Sequence, residues 1–151
     1  MELEVFIDGL CQPRNPKGIA CYAFLIRQQG KTLHAESGQA AEPFSDDATN
    51  NVAEYTALLK SLDWLIANRY QNANIRVKSD SQLLVNQMRG EYRVRDSRII
   101  PLFKQAAVLV KQFQKIVVEW LPREQNKEAD AMTSRAYNQV IIERPDLLDK
   151  L

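Results

Sequence analysis

Four acidic residues lie at the predicted edges of four different helices or strands: Asp8, Glu54, Asp80 and Asp130. Each has an ordinary explanation. Asp8-Gly9 is typical of a hairpin turn, although the residues after it do not resume an alternating strand. Glu54 could complete a capping box with Asn51, Asp80 could complement the dipole of a helix capped by Ser79, and Asp130 suits the first turn of the last helix. If these carboxylates lie at contact distance, they repel one another. Mg²⁺ or Mn²⁺, divalent cations that prefer hard oxygen ligands, would relieve that repulsion. Two such ions ~4 Å apart form a clamp for in-line displacement at phosphorus, so the set indicates metal-dependent phosphodiester hydrolysis.

The helices and strands that must position these acids follow from the spacing of apolar residues. Alternation predicts strands over residues 2–7, 19–27, 31–37, 74–78 and 116–121. Helical periodicity predicts helices over residues 52–70, from Ser79 to Gly90, 97–113 and 126–142. Short connections make the first three strands antiparallel, whereas helices between later strands imply parallel pairing through right-handed crossovers. We therefore predict an α/β domain with a five-stranded mixed sheet, antiparallel in strands 1–3 and flanked by helices.

The composition favours one globular domain. The chain has 151 residues, of which 45% are hydrophobic and 26% charged, with a net charge of +1, so extensive disorder is excluded. Apolar runs are too short for a membrane span, and the first residues lack a secretory pattern. Cys11 and Cys21 are too few for a disulfide scaffold, so we expect a cytoplasmic protein with free thiols. We assign residues 1–142 to the domain and 143–151 to a tail, which is either frayed or docked through leucines such as Leu147.

Four segments around the acids are distinctive: FIDGL at 6–10, TNNVAEYTAL at 49–58, KSDSQLLVNQ at 78–87 and PREQNKEADAM at 122–132. In this order they resemble type 1 ribonuclease H, in particular its short archaeal and bacterial branch without a basic helical protrusion. The resemblance implies a ribonuclease H-like fold, in which strands 1, 4 and 5 are parallel. It implies endonucleolytic cleavage of the RNA strand of RNA/DNA hybrids, leaving 5′-phosphate and 3′-hydroxyl ends. It also implies that the four acids named above bind two Mg²⁺ or Mn²⁺ ions when substrate is present.

The same resemblance implies particular substrate contacts. Asn50, Asn51 and Gln82 match positions that read the minor groove and the RNA 2′-hydroxyl, and an amide can both donate to and accept from that group. Residues 89–98 form a basic stretch where longer relatives insert their substrate handle. We expect Arg93 and Arg95 to contact DNA-strand phosphates, although such a stretch is more often a solvated helix face.

One departure from the family concerns the loop before the last acid, where many relatives carry a histidine. The only histidine here, His34, lies in the third strand, so we expect it to be structural or exposed. Arg123 is predicted to take the loop role as a phosphate contact, since arginine stays protonated, with Glu124 as the alternative. Trp64 and Trp120 fit core positions, although Trp120 also ends a strand near the predicted site.

Two other functions remain open at this stage. Integrases, junction resolvases and related polynucleotidyl transferases share the sheet, and cleavage of double-stranded RNA is a further possibility, but the amides favour an RNA/DNA hybrid. A hybrid-binding module without catalysis is the second alternative, and the presence of all the acids argues against it. The expected partner is the hybrid alone, with no membrane and no obligate protein partner.

Overall fold

A single mixed sheet forms the centre of the computed structural model, which describes residues 1–151. Its five strands are β1 (Glu2–Gln12), β2 (Ile19–Gln28), β3 (Lys31–Gln39), β4 (Asn74–Ser79) and β5 (Lys115–Trp120). Their spatial order is β3-β2-β1-β4-β5. The first three strands are antiparallel, and β4 and β5 run parallel to β1, so the predicted fold class and pairing are confirmed.

Four helices cover the sheet: α1 (Asn50–Ala67), α2 (Gln82–Met88), α3 (Ile100–Val110) and α4 (Lys127–Glu143). Helices α1 and α2 pack on one face with α3 against α1, and α4 packs on the opposite face across β1, β2 and β3. Leu3, Val5 and Ile7 of β1 belong to the main core on the α1 face, as their alternation predicts. None of the helices is both long enough and apolar enough to cross a membrane.

Strand β1 continues through the residues that resemble a hairpin turn. Asp8 pairs with Ala23 and Gly9 with Tyr22 within the antiparallel ladder to β2, so Asp8-Gly9 forms no hairpin turn, as the residues that follow it indicated. The ladder extends to Gln12, which places Asp8 inside the sheet rather than in a loop.

The helix starts differ by a few residues from the prediction, and local capping explains each case. Thr49, and not Asn51, caps α1, because its Oγ1 accepts from the Val52 N–H at 3.0 Å. Ser81, and not Ser79, caps α2 by accepting from the Leu84 N–H at 3.2 Å. Glu54 therefore forms no capping box with Asn51, and Asp80 precedes α2 instead of lying in its first turn.

The third helix is shorter than predicted. It begins at Ile100 rather than Ser97, because the Asp96 carboxylate accepts the Arg98 main-chain N–H at 2.9 Å and holds the preceding residues in a turn. Pro101 lies in its first turn, the one place where a helix tolerates proline. In α2, the spacing of apolar residues predicts that Leu83 and Leu84 are both buried; Leu84 is buried, but Leu83 is 41% exposed, so that part of the prediction is wrong.

The segment after α4 is attached to the body of the domain. Residues Pro145–Lys150 form a short 3₁₀ helix, and Leu147 is only 2% exposed. Leu147 packs with Leu10 and Ile19 of the sheet and with Val140 of α4. Of the two alternatives, a frayed tail and a docked one, the structure has the docked tail; the division at residue 142 stays a prediction.

Candidate active site

Three carboxylates meet where β1 and β4 lie side by side. Ile7 and Ser79 are register partners in these parallel strands, so Asp8 and Asp80 follow them at the same level of the sheet. Glu54 reaches this point from α1. One oxygen from each of the three carboxylates lies within 4.8 Å of the others.

Gly9 allows Glu54 to come so close to the sheet. A Cβ atom on Gly9 would lie 2.5 Å from the main-chain nitrogen of Glu54 and 2.8 Å from the Cβ of Ala53, distances that atoms do not tolerate. Only glycine therefore lets α1 pack directly on β1 at this level. The sequence analysis missed this role, because Asp-Gly is so strongly typical of a turn.

The fourth acid, Asp130, lies in the first turn of α4 and faces the same cavity. The cavity has a volume of about 390 Å³, and its lining includes all four acids together with Asn50 and Arg123. Asp130 is not part of the group of three close oxygens, and its carboxylate is 3.9 Å from the Arg123 guanidinium. The structure thus brings the four predicted acids to one cavity, three of them in mutual contact range.

Burial and mutual repulsion make the ionised cluster costly without a counter-charge. Burial, followed by the charges of Asp80 and Asp130, raises the pKa of Asp8 to about 7. Burial, with the charges of Asp8 and Asp80, also raises the pKa of Glu54 well above its ordinary value. Burial likewise raises the pKa of Asp80, although a hydrogen bond from Asn126 and the charge of Arg123 oppose that effect. Carboxyl groups in this state gain from any bound cation.

The donor set fits a divalent metal ion. All the available ligands are carboxylate oxygens, which Mg²⁺ and Mn²⁺ prefer. Glu54 is only 3% exposed, and its Oε2 atom is buried without a hydrogen-bond partner in the protein. A buried carboxylate oxygen without a hydrogen-bond partner lowers the stability of the folded protein unless a ligand binds it. Asp8, Glu54 and Asp80 could therefore hold a metal ion.

Two residues that the sequence analysis did not assign to the site contact Asp80. The Nδ2 atom of Asn126 donates to the Ile7 carbonyl at 2.9 Å and to Asp80 Oδ2 at 3.4 Å. The Trp120 indole N–H donates to the main-chain carbonyl of Asp80 at 3.3 Å. Trp120 is 47% exposed, so its predicted core position is wrong, whereas Trp64 packs against the main core as predicted. The strand-end position of Trp120 was the only sequence signal for this location.

The three predicted substrate amides lie at the starts of two helices. Asn50 and Asn51 are the first two residues of α1, and Gln82 is the first residue of α2. Of the three, Asn50 lines the cavity, whereas Asn51 and Gln82 do not. Their main-chain positions are fixed by the helix caps. None of the three side-chain amides makes a hydrogen bond within the protein, so all three are available to a ligand.

The basic stretch divides into two structural arginines and two free ones. Arg89 donates to the Val118 carbonyl at 2.9 Å, and Arg98 pairs with Asp96, so both hold the fold together. Arg93 and Arg95 are exposed and have no ion pair or hydrogen bond within the protein. This is the pair that the sequence analysis preferred as phosphate contacts.

The loop before α4 presents Arg123 to the site. Its side chain is 77% exposed and lines the cavity, whereas Glu124 does not line it. His34 lies on β3 away from the cavity, stacked on Trp64 with ring centroids 4.8 Å apart. Its Nε2 is 3.4 Å from Glu36 Oε1, which agrees with the structural role predicted for it.

The fold and the acidic cavity together define a ribonuclease H-like domain. A five-stranded mixed sheet in the order β3-β2-β1-β4-β5 carries carboxylates on its two central parallel strands. The family model described as reverse transcriptase-like matches residues 7–136, which is most of the chain. The chain belongs to this reverse transcriptase-like family.

Curated relatives agree with this assignment over most of the chain. The bifunctional protein Rv2228c of Mycobacterium tuberculosis is 35% identical over 135 residues, which cover 89% of this chain and 35% of that protein. Ribonuclease HI of Halobacterium salinarum is 33% identical over 134 residues, covering 89% of this chain and 63% of that protein. The chain therefore spans about a third of the length of the mycobacterial relative.

Solved structures share the whole architecture. The N-terminal ribonuclease H domain of Rv2228c superimposes with a TM-score of 0.81 at 28% identity, covering 94% of this chain and 97% of that one. LC11-RNase H1, solved in complex with an RNA/DNA hybrid, has a TM-score of 0.81 at 29% identity, covering 92% of this chain and 99% of that one. The predicted resemblance to type 1 ribonuclease H is confirmed, and the chain carries a domain of this class.

Proposed function

We propose that this chain is an endonuclease that hydrolyses the RNA strand of RNA/DNA hybrids with Mg²⁺ or Mn²⁺. The observation that carries the proposal is the close group of Asp8, Glu54 and Asp80, open to a cavity that Asp130 and Asn50 also line. The LC11 relative, solved with a hybrid bound, supports the choice of substrate. Binding of a divalent cation is the chemistry for which buried, mutually repelling carboxylates are best suited.

In this proposal the acidic residues act as metal ligands rather than as proton carriers. Asp8, Glu54, Asp80 and Asp130 would hold two ions when substrate is bound. The ions would supply Lewis-acid chemistry, activating the attacking water and stabilising charge that develops at phosphorus. Attack in line with the bond to the 3′ oxygen leaves a 5′-phosphate on one RNA fragment and a 3′-hydroxyl on the other.

The polar residues around the acids would select and orient the hybrid. The free amides of Asn50, Asn51 and Gln82 can exchange hydrogen bonds with the 2′-hydroxyl, the group that distinguishes RNA from DNA. Arg93 and Arg95 carry unpaired charge suited to the phosphates of the DNA strand. Arg123, beside Asp130 at the mouth of the cavity, would contact a phosphate of the strand that is cut.

The proposal needs no protein partner and no membrane. Cys11 and Cys21 are free thiols, which suits the reducing cytoplasm in which we place the protein. Cleavage of double-stranded RNA and binding without cleavage remain the alternatives that an experiment must separate. No observation in the structure favours either over hydrolysis of the hybrid.

Cleavage of an end-labelled RNA/DNA hybrid in Mg²⁺, in Mn²⁺ and in chelator tests the proposal. Single-stranded RNA, double-stranded RNA and double-stranded DNA serve as parallel substrates. We expect metal-dependent cutting of the RNA in the hybrid alone, abolished by Asp80→Asn and retained by Asp63→Asn, an exposed carboxylate on α1. Binding of the hybrid without cutting in either metal would contradict the proposal. Cutting of double-stranded RNA would show that the substrate is not limited to the hybrid.

A further inference from the structure

Asn126 precedes α4 but does not act as its side-chain cap. It is 1% exposed, and no N–H group of α4 donates to its side chain, although asparagine is among the preferred N-cap residues. Its Oδ1 atom is buried without any donor. A buried acceptor without a donor destabilises the folded protein, so stabilisation of the helix start does not explain this residue.

The amide nitrogen of Asn126 instead joins the two strands that carry the central acids. Nδ2 donates to the carbonyl of Ile7, the residue before Asp8, at 2.9 Å. The same atom lies 3.4 Å from Oδ2 of Asp80, at the end of the neighbouring strand. The Asn126 amide therefore donates hydrogen bonds to β1 and to the Asp80 carboxylate at the same time.

The main chain of Asn126 reaches the fourth acid. Its carbonyl accepts the main-chain N–H of Asp130 at 3.1 Å in the first turn of α4. One buried residue therefore contacts the backbone beside Asp8, the carboxylate of Asp80 and the turn that presents Asp130. No other side chain donates to either oxygen of the Asp80 carboxylate.

The chemistry of an amide suits this place better than that of a charged donor. A lysine or arginine held here would orient Asp80 as well, but its positive charge would oppose the binding of a cation by the same carboxylates. The amide donates two hydrogens and brings no net charge. It also leaves Oδ1 of Asp80 without a protein hydrogen bond and therefore available as a ligand.

We propose that Asn126 is a positioning residue that orients the Asp80 carboxylate toward Asp8 and so sets the affinity of the acidic cavity for a divalent cation. The proposal rests on the metal-dependent function proposed above. Residues that orient metal ligands typically contribute 10–100-fold to metal affinity or activity, and a loss of about that size is expected here.

Mn²⁺ binding to the protein without substrate tests this role directly. Free Mn²⁺ is measured by electron paramagnetic resonance during titration of the wild type, Asn126→Ala and Asn126→Ser. We expect the dissociation constant to rise roughly 10–100-fold in both variants. Asn68→Ala is the matched control, because it removes an amide that donates to the Trp64 carbonyl at 2.8 Å at the end of α1, and its Mn²⁺ affinity should equal that of the wild type.

Kinetics supply the second measurement. For Asn126→Ala the concentration of Mn²⁺ that gives half-maximal cleavage should rise by the same factor, while the KM for the hybrid changes less than about twofold and high Mn²⁺ restores much of kcat. If Asn126→Ala does not fold, Asn126→Ser, which keeps a hydroxyl of smaller reach, decides the question. Unchanged Mn²⁺ affinity in a folded variant would overturn the proposal and leave Asn126 a structural link. If the wild type binds Mn²⁺ without cutting the hybrid, the proposed function fails, but the comparison of affinities still decides the role of Asn126.

Discussion

Replacing Asp8 with asparagine should make the metal-free protein more stable at neutral and alkaline pH. The folded protein raises the pKa of this carboxyl from 3.8 to about 7, chiefly through burial and the charge of Asp80. Below about pH 3 the group is protonated in both folded and unfolded chains and contributes nothing. Between that pH and about 7 the unfolded chain ionises first, so the free energy of unfolding falls as the pH rises. Above pH 7 the loss is complete.

The size of the effect follows from the same pKa. A pKa raised from 3.8 to about 7 corresponds to ~4 kcal/mol of destabilisation once both states are ionised. Asparagine has nearly the same shape and no charge, so we expect Asp8→Asn to raise the free energy of unfolding by about 2–4 kcal/mol at pH 8. At about pH 4 the same substitution should change it by less than ~0.5 kcal/mol.

Urea unfolding in chelator, followed by circular dichroism, measures this difference at about pH 4, 6 and 8. Asp63→Asn is the control, because this carboxylate is exposed on α1 and its removal should change little at any pH. If Asp8→Asn raises the free energy of unfolding equally at all three pH values, the titration argument is refuted, because the change would then reflect shape or hydrogen bonding alone. A loss of stability at pH 8 would refute the claim that the uncompensated carboxylates oppose folding.

Three further predictions concern the substrate surface, the helix contact and the loop. The double variant Arg93→Ala, Arg95→Ala should bind the hybrid more weakly. The slope of log affinity against log salt should become shallower by about two units, one per lost phosphate contact. An unchanged slope would show that both residues are only solvated surface arginines. Gly9→Ala should lower the free energy of unfolding by about 1–3 kcal/mol in urea and reduce cleavage, because the new Cβ would lie 2.5 Å from the Glu54 nitrogen; wild-type stability would show that α1 does not pack as described. His34→Ala should leave kcat unchanged when the fold is intact, whereas Arg123→Ala should reduce it about tenfold by removing a phosphate contact; the reverse order would show that the histidine, and not the arginine, serves the reaction.

The direction of the strands and the convergence of the acids were predictable to different degrees. A helix between two strands implies a right-handed crossover, which makes β4 parallel to the strand it pairs with. The position of β4 beside β1 came from the resemblance to ribonuclease H, because the order of the elements does not select the neighbouring strand. Once the two strands are adjacent, Asp8 and Asp80 meet, since they follow the register partners Ile7 and Ser79.

The contacts that refine the site were not predictable, because they depend on how elements pack. The pair Asp8-Gly9 is typical of a turn. Only the close packing of α1 on β1 shows why position 9 has no side chain. Trp120 appeared apolar and buried, yet the sheet edge leaves it exposed with its N–H on Asp80. Asn126 was predicted only as the first residue of the last helix, and its side chain instead contacts Ile7 of β1 and Asp80 at the end of β4.

The same limit applies to the tail. Leucines after Pro145 indicated that docking was possible, but whether they meet an apolar surface depends on α4 and the ends of β1 and β2 together. In the structure Leu147 fills a small core with Leu10 and Ile19. Local sequence could not reveal this second core, because more than 100 residues separate its members on β1 and β2 from those on α4 and the tail.

The measurement that tests the central claim most directly is identification of the RNA ends after cleavage of a hybrid in Mg²⁺. Water attack assisted by ions at the four carboxylates predicts fragments with 5′-phosphate and 3′-hydroxyl ends, detected by mass spectrometry, and no product in chelator or with Asp80→Asn. Fragments that end in a 2′,3′-cyclic phosphate would show attack by the neighbouring 2′-hydroxyl and would contradict the account. So would cleavage that persists after the metal is removed.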